Sequence, residues 1–180
     1  MRAFGWSKWK ILHDGFKKST WTSLERWGLA YIHSKTALNE LTQAVATNFS
    51  KAGKSVGVSI SSIWIDGTPQ IMGHDVSGAA LKGELADLLL ILNETSGTGI
   101  SICRTGLLLQ GKTSKRYNRL PSNPTTKSER RLLEHLDRNK SLDIYRNMKA
   151  SPGSLIGKYT LRGGGHGLKD CARYLIIAKK

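Results

Sequence analysis

An α/β fold, with helices packed on a central sheet, is predicted by three features of this sequence. A helix-patterned segment, Ser34 to Ala52, precedes three strand-like runs: Val56 to Ile65, Leu88 to Leu92 and Leu107 to Leu109. A polar loop with Pro121 and Pro124 then leads into a second helix, about Lys127 to Asn139. Strand-like runs at Tyr159 to Leu161 and Tyr174 to Ala178 follow. The order is αβββαβ. At 180 residues, 39% of them hydrophobic, the chain is long enough for one domain with a real core.

Residues 1–33 read as a Trp-rich N-terminal extension, with Trp6, Trp9, Trp21 and Trp27. Thr22 or Ser23 caps a short helix through Leu24 to Ile32. Tryptophan at such density suits packing over a core or a dimer contact, ahead of stacking on bases. In Ser34 to Ala52, residues Leu38, Leu41, Val45 and Phe49 recur at helical spacing, and Glu40 lies off that stripe. Asp87 opens the next apolar run. Leu107 to Leu109 ends in Gln110-Gly111-Lys112. Two neighbouring strands would bring Asp87, Gln110 and Lys112 to one edge, with Gln110 and Lys112 on a common face. In the second helix Ser128 is the candidate cap, and Leu132, Leu133 and Leu136 form its apolar line.

A carboxylate, an amide oxygen and an ammonium at one point suit a hard cation and a phosphate. Mg²⁺ takes oxygen ligands and keeps several waters, so one or two carboxylates with an amide suffice. Bound there, Mg²⁺ (or Mn²⁺) polarises a phosphoryl oxygen and acidifies a water. The Lys112 ammonium neutralises charge developing on the phosphate. Glu84, three residues before Asp87, is a candidate extra acid. A competing pattern overlaps: Gly106 to Thr113 satisfies G-x-x-x-x-G-K-[ST]. Its Leu-Leu-Leu interior reads as a strand, and TSKRYNRLPSNP after it does not start a helix, so a phosphate-wrapping loop is not expected.

Asp87, then Gln110-x-Lys112 about twenty residues later, resembles the PD-(D/E)xK, or restriction endonuclease-like, nuclease superfamily in a Q-x-K variant. Ala86 stands where that pattern has its proline. The resemblance covers roughly Ser34 to Lys180, and the αβββαβ order agrees with it. It implies a central mixed sheet flanked by helices, and hydrolysis of phosphodiester bonds in DNA. It implies Asp87, Gln110 and Glu40 as metal ligands, Glu40 standing for the acid on the helix before the first strand, and Lys112 as the fourth catalytic residue. The alternative is a non-catalytic nucleic-acid-binding module of the same fold within a larger defence, repair or recombination complex. Members of the superfamily often dimerise, so a homodimer is open.

Charge points the same way. The chain carries a net +15, and residues 101–180 hold 18 Lys/Arg against 5 Asp/Glu. Such a field favours a polyanion. The loop from Thr113 to Lys127 is the first candidate nucleic-acid contact, with Lys115, Arg116, Tyr117 and Arg119; Arg130 and Arg131 follow it. The loop from Arg162 to Gly167 reads as a flexible hairpin before a phosphate cradle. No apolar run approaches a membrane span, no membrane partner is expected, and no secretory signal is read at the N-terminus. Cys103 and Cys171 have no metal-type spacing and are expected to be buried and reduced, as suits a cytoplasmic protein.

Overall fold

The computed structural model describes residues 6–65, 67, 70–115, 119–146, 154–161 and 165–179. The elements run α1 (Trp6–Lys17), α2 (Leu24–Ile32), α3 (Lys35–Lys51), β1 (Gly57–Trp64), β2 (Gln70–His74), β3 (Ala80–Glu84), β4 (Leu88–Thr95) and β5 (Ser101–Ser114). Then come α4 (Pro124–His135), β6 (Ser141–Tyr145), β7 (Leu155–Thr160) and β8 (Ala172–Ala178). The fold is α/β, with one mixed and one antiparallel sheet flanked by helices. No helix among the described residues is long and apolar enough to cross a membrane.

The mixed sheet has the order β1-β4-β5-β8. Its first three strands are antiparallel neighbours, and β8 pairs parallel with β5, from Leu108 opposite Ala172 to Ser114 opposite Ala178. The second sheet, β3-β2-β6-β7, is antiparallel throughout. It is built from two excursions of the chain, one between β1 and β4 and one between α4 and β8.

Helix α4 is shared by both sheets. Leu132, Leu133 and Leu136 pack with Ile71, Leu81 and Leu142 of the second sheet, and with Ala172, Leu108 and Tyr174 of the first. Burying each such leucine contributes roughly 1.5–3 kcal/mol. A second cluster joins Leu29 and Ile32 of α2 to Leu88 and Leu109. Residues 24–32 therefore belong to the same core as the sheet, although they precede the expected boundary at residue 33.

Several element limits differ from those read in the sequence. Helix α4 starts at Pro124, capped by Asn123, whose Oδ1 accepts from the Thr126 N–H at 2.8 Å. Proline suits the first helical turn because its missing N–H would be unpaired there anyway. Ser128 is thus inside the helix and is not its cap. Strands β2, β3 and β6 are not among the runs that the sequence pattern predicts. Each is five residues long, and β2 and β3 carry a glycine. The G-x-x-x-x-G-K-[ST] stretch is the second half of β5. Cys103 is exposed, not buried, because the first half of β5 projects beyond the core; both cysteines are free.

The C-terminal end of α4 explains the glycine at position 167. Arg162 to Gly164 lie outside the described residues. Gly167 donates its N–H to Leu136 O at 2.7 Å, and Leu168 donates to Leu133 O at 2.6 Å. These N–H groups cap a helix and are not available to a phosphate. Gly167 has φ +73, and a Cβ there would lie 2.5 Å from Glu134 O. Gly167→Ala combines left-handed strain with a backbone clash, so a loss of at least about 2 kcal/mol is expected in urea unfolding. An unchanged midpoint would show that this cap contributes nothing.

Asp75 ties the β2–β3 hairpin to α4. Its Oδ1 accepts from Ser77 N, Ser77 Oγ and Ala79 N at 3.0, 2.6 and 2.9 Å; its Oδ2 accepts from the Arg131 guanidinium at 2.9 Å. The Ser77 hydroxyl, then Arg131, hold this carboxyl well below the usual range, against the cost of burial. A lowered folded pKa gives stability that is present above the unfolded value, about 3.9, and is lost as pH falls through the folded one. Asp75→Asn should therefore lower the melting temperature at neutral pH, and the gap from wild type should close in acid. A gap that stays constant with pH would exclude the ion pair as its source.

Candidate active site

The site is built on a mismatch in strand length. Strand β4 begins at Leu88, opposite Leu109, but β5 continues to Ser114. The N–H groups of Gly111 and Thr113 face the side that β4 has left. Carboxylates take the place of the absent strand. Asp87 Oδ2 accepts from Gly111 N at 2.6 Å, and Glu25 Oε2 accepts from Thr113 N at 3.1 Å. Glu25 comes from α2, which crosses β5 closely because residue 111 is glycine: a Cβ there would lie 3.0 Å from Leu29 Cδ1 and 3.1 Å from Glu25 Cγ.

Asp87 and Gln110 meet directly. The Gln110 amide donates to Asp87 Oδ2 at 2.8 Å, with the two residues only 4% and 2% exposed. Gln110 and Lys112 point to the α4 side of the sheet, as the alternation requires. There Lys112 Nζ lies 2.9 and 3.1 Å from the two oxygens of Glu129, with side chains 12% and 8% exposed. Burial by itself would lower the Lys112 pKa; Glu129, with Glu25 and Asp87, reverses this and raises it. Burial pushes the Glu129 carboxyl upward against the pull of Lys112, and Glu84 and Glu25 add to the rise. Glu129, Glu25 and Asp87 thus act on one ammonium in a strongly basic chain, and Glu84 acts on Glu129.

Near this pair, the Tyr174 hydroxyl and the Thr126 Oγ1 are buried with no hydrogen-bond partner among the described residues. Burial first, then Glu129 and Glu134, pushes the Tyr174 hydroxyl up to about 12. It stays protonated and neutral across the ordinary pH range.

The trio Asp87, Gln110 and Lys112 is therefore brought to one end of β5, with Lys112 turned to Glu129. Glu84 ends β3 and acts on Glu129. Glu40 is half-buried on α3, which packs on β1, and it is not among the carboxylates acting on Lys112. Of the acids on the N-terminal helices it is Glu25, on α2, whose charge acts on Lys112. Sequence reading missed both Glu25 and Glu129. A signal for Glu129 exists: it precedes Leu132, Leu133 and Leu136 by three, four and seven residues, which sets a carboxylate on the apolar stripe of α4.

Among the described residues no three His, Cys, Asp or Glu side chains are grouped so as to hold a metal ion. The donors present are oxygens in a pair, the Asp87 carboxylate and the Gln110 amide. An ion that keeps most of its water needs one or two protein ligands, so this pair fits Mg²⁺ or Mn²⁺ in kind. For Gln110 to offer its oxygen to an ion on Asp87, the amide must turn over, exchanging its present hydrogen bond for the ion.

Of the proposed nucleic-acid contacts, Lys115 and Arg119 are exposed, and Arg116 and Tyr117 lie outside the described residues. Arg130 pairs with Glu134 at 2.7 Å and Arg131 with Asp75, so both guanidiniums already have carboxylate partners. No protein-family model, curated protein or solved structure matches the chain.

Proposed function

We propose that the chain is a metal-dependent nuclease that hydrolyses phosphodiester bonds in DNA, with a restriction endonuclease-like core formed by α3, β1, β4, β5, α4 and β8. The observation that carries this reading is the direct Asp87–Gln110 contact where β5 runs on past β4, with Lys112 two residues on, Glu129 and Glu25 acting on it, and Glu84 acting on Glu129. The order of those six elements is αβββαβ once the second sheet is taken as two insertions. A net charge of +15 supplies the attraction for a polyanion.

Mg²⁺ or Mn²⁺, when bound, would supply Lewis acidity at a phosphoryl oxygen and a water of lowered pKa. Asp87 would hold it, oriented by the Gly111 N–H, with Gln110 as the second oxygen donor. Lys112 would place its ammonium on the phosphate as negative charge develops there. Glu129 would hold Lys112 charged and in position until a phosphate competes for it. Glu25 would keep the tip of β5 in place by capping Thr113. Tyr174 is a neutral hydroxyl on the same face as Gln110, its partner across β5 and β8.

One observation favours the second reading, a non-catalytic nucleic-acid-binding module within a larger complex: Lys112 is already paired with Glu129 in a buried bridge. Cleavage of supercoiled plasmid with Mg²⁺ or Mn²⁺, beside calorimetric titration with Mn²⁺, separates the two. Metal binding with metal-dependent nicking supports the nuclease. DNA binding without either leaves the module.

A further inference from the structure

A cavity of about 530 Å³ opens on the other side of the β5 tip. Its walls include Phe16 and Lys17 of α1, Thr22 and Ser23 at the start of α2, Glu25, Thr113 and Lys179, with His13 and Leu24 completing it. Glu25 and Thr113 are the two residues that cap the end of β5, so the cavity adjoins the Asp87–Gln110 edge. Lys17 and Lys179 are exposed and in no ion pair among the described residues. Lys179 is fixed at its backbone, where its N–H donates to Ser114 O at 2.7 Å. Phe16 is held against Trp27, ring centroids 6.5 Å apart, and offers an apolar wall. Glu25 is the one carboxylate among the described lining residues, and its Oε2 is turned to Thr113 N.

We propose that this cavity is a phosphodiester subsite, taking the backbone phosphate next to the one presented at Asp87 and Lys112. The inference rests on the nuclease reading for which phosphate is its neighbour. Two ammoniums approach one concave space from different elements, and the hydroxyls of Thr22 and Ser23 add neutral donors. Lysine acts on phosphate as a point charge and needs no planar match. Glu25 repels an anion that goes deeper, so the phosphate stays at the mouth between Lys17 and Lys179. The sugar then lies along Phe16.

The test is binding of a short DNA duplex in EDTA, followed by anisotropy across a range of salt. The proteins are wild type, the Lys17→Ala/Lys179→Ala double variant, and a Lys35→Ala/Lys51→Ala control that removes the same charge from α3. The cavity variant should bind several-fold more weakly, with a salt slope lower by about 0.9, the value for one lost phosphate contact. The control should change neither as much. Equal binding by the cavity variant overturns the proposal, as does an equal loss in the control, which would reflect net charge alone. Inorganic phosphate titrated by itself is a further arm. Saturable phosphate binding that the cavity variant loses, with DNA binding unchanged, would make this a free-phosphate site and also overturn it. If the cavity variant loses DNA binding as expected while wild type with Mg²⁺ cuts nothing, the subsite stands and the nuclease reading fails.

Discussion

Asp87→Ala should remove the proposed metal-dependent cleavage of plasmid DNA, with a fall at least as large as that of Lys112→Ala. For Lys112 the expected loss is roughly 10²–10³-fold, the usual effect of deleting one preorganised charge-stabilising group. Asp87 has two roles in one side chain. It would hold the ion, and it caps the Gly111 N–H while accepting from Gln110. Its removal therefore loosens the β5 tip as well. Mn²⁺ titration separates these effects, because Lys112→Ala should still bind the ion and Asp87→Ala should not. Equal nicking by wild type and both variants would show the activity to be foreign to this site. Gln110→Glu is a sharper probe. It sets a second carboxylate against Asp87 at a position 2% exposed. Without metal the variant should be less stable than wild type, and Mn²⁺ should restore it.

Glu129→Ala is expected to destabilise the fold by about 3 kcal/mol, at the lower end of the range for breaking a buried pair. The lower end applies because Glu25 and Asp87 still favour the Lys112 ammonium. The reverse deletion, Lys112→Ala, should cost less. Glu129 then stands alone in a site that already raises its pKa, and it can take up a proton. A raised folded pKa gives stability that is present at low pH and is lost as pH rises through it. The Lys112→Ala protein should accordingly gain stability on mild acidification relative to wild type. Replacing both residues, Lys112→Met with Glu129→Leu, should restore stability to near wild type while leaving the protein inactive. Urea unfolding of the four proteins across pH is the measurement. A double variant as unstable as Glu129→Ala would mean that the loss comes from packing and not from charge.

How much was legible follows from where each signal lies. Asp87 and the Gln110-x-Lys112 pair could be read because they sit at the ends of strong apolar runs, and strand alternation does the rest. Helix α3 could be read from its apolar spacing, and α2 from its apolar content behind a cap at Thr22 or Ser23; the cap is Ser23, whose Oγ accepts from Arg26 N at 3.3 Å. Glu25 could not be assigned, because its role comes from α2 crossing β5 at Gly111, a contact between residues far apart in sequence. The second sheet was hidden for a different reason. Its strands are short, and one of its faces is covered by α4, so its apolar content is divided among small pieces such as Leu81, Ile71 and Leu142. Strand β6 does carry a period-two signal in Leu142 and Ile144, but it follows α4 so closely that the helical reading extended over its approach.

The parallel pairing of β5 with β8 has a consequence for how the protein comes to exist. Leu108 waits for Ala172, and between them the chain must complete α4 and half of the second sheet. Such distant closure is slow, because the entropy of a long loop is lost before its contacts form. The β4–β5 hairpin can assemble early, since its strands are joined by a short turn. It cannot by itself set Glu129 against Lys112. Tyr174, on β8, can therefore join Gln110 only after α4, β6 and β7 have been synthesised.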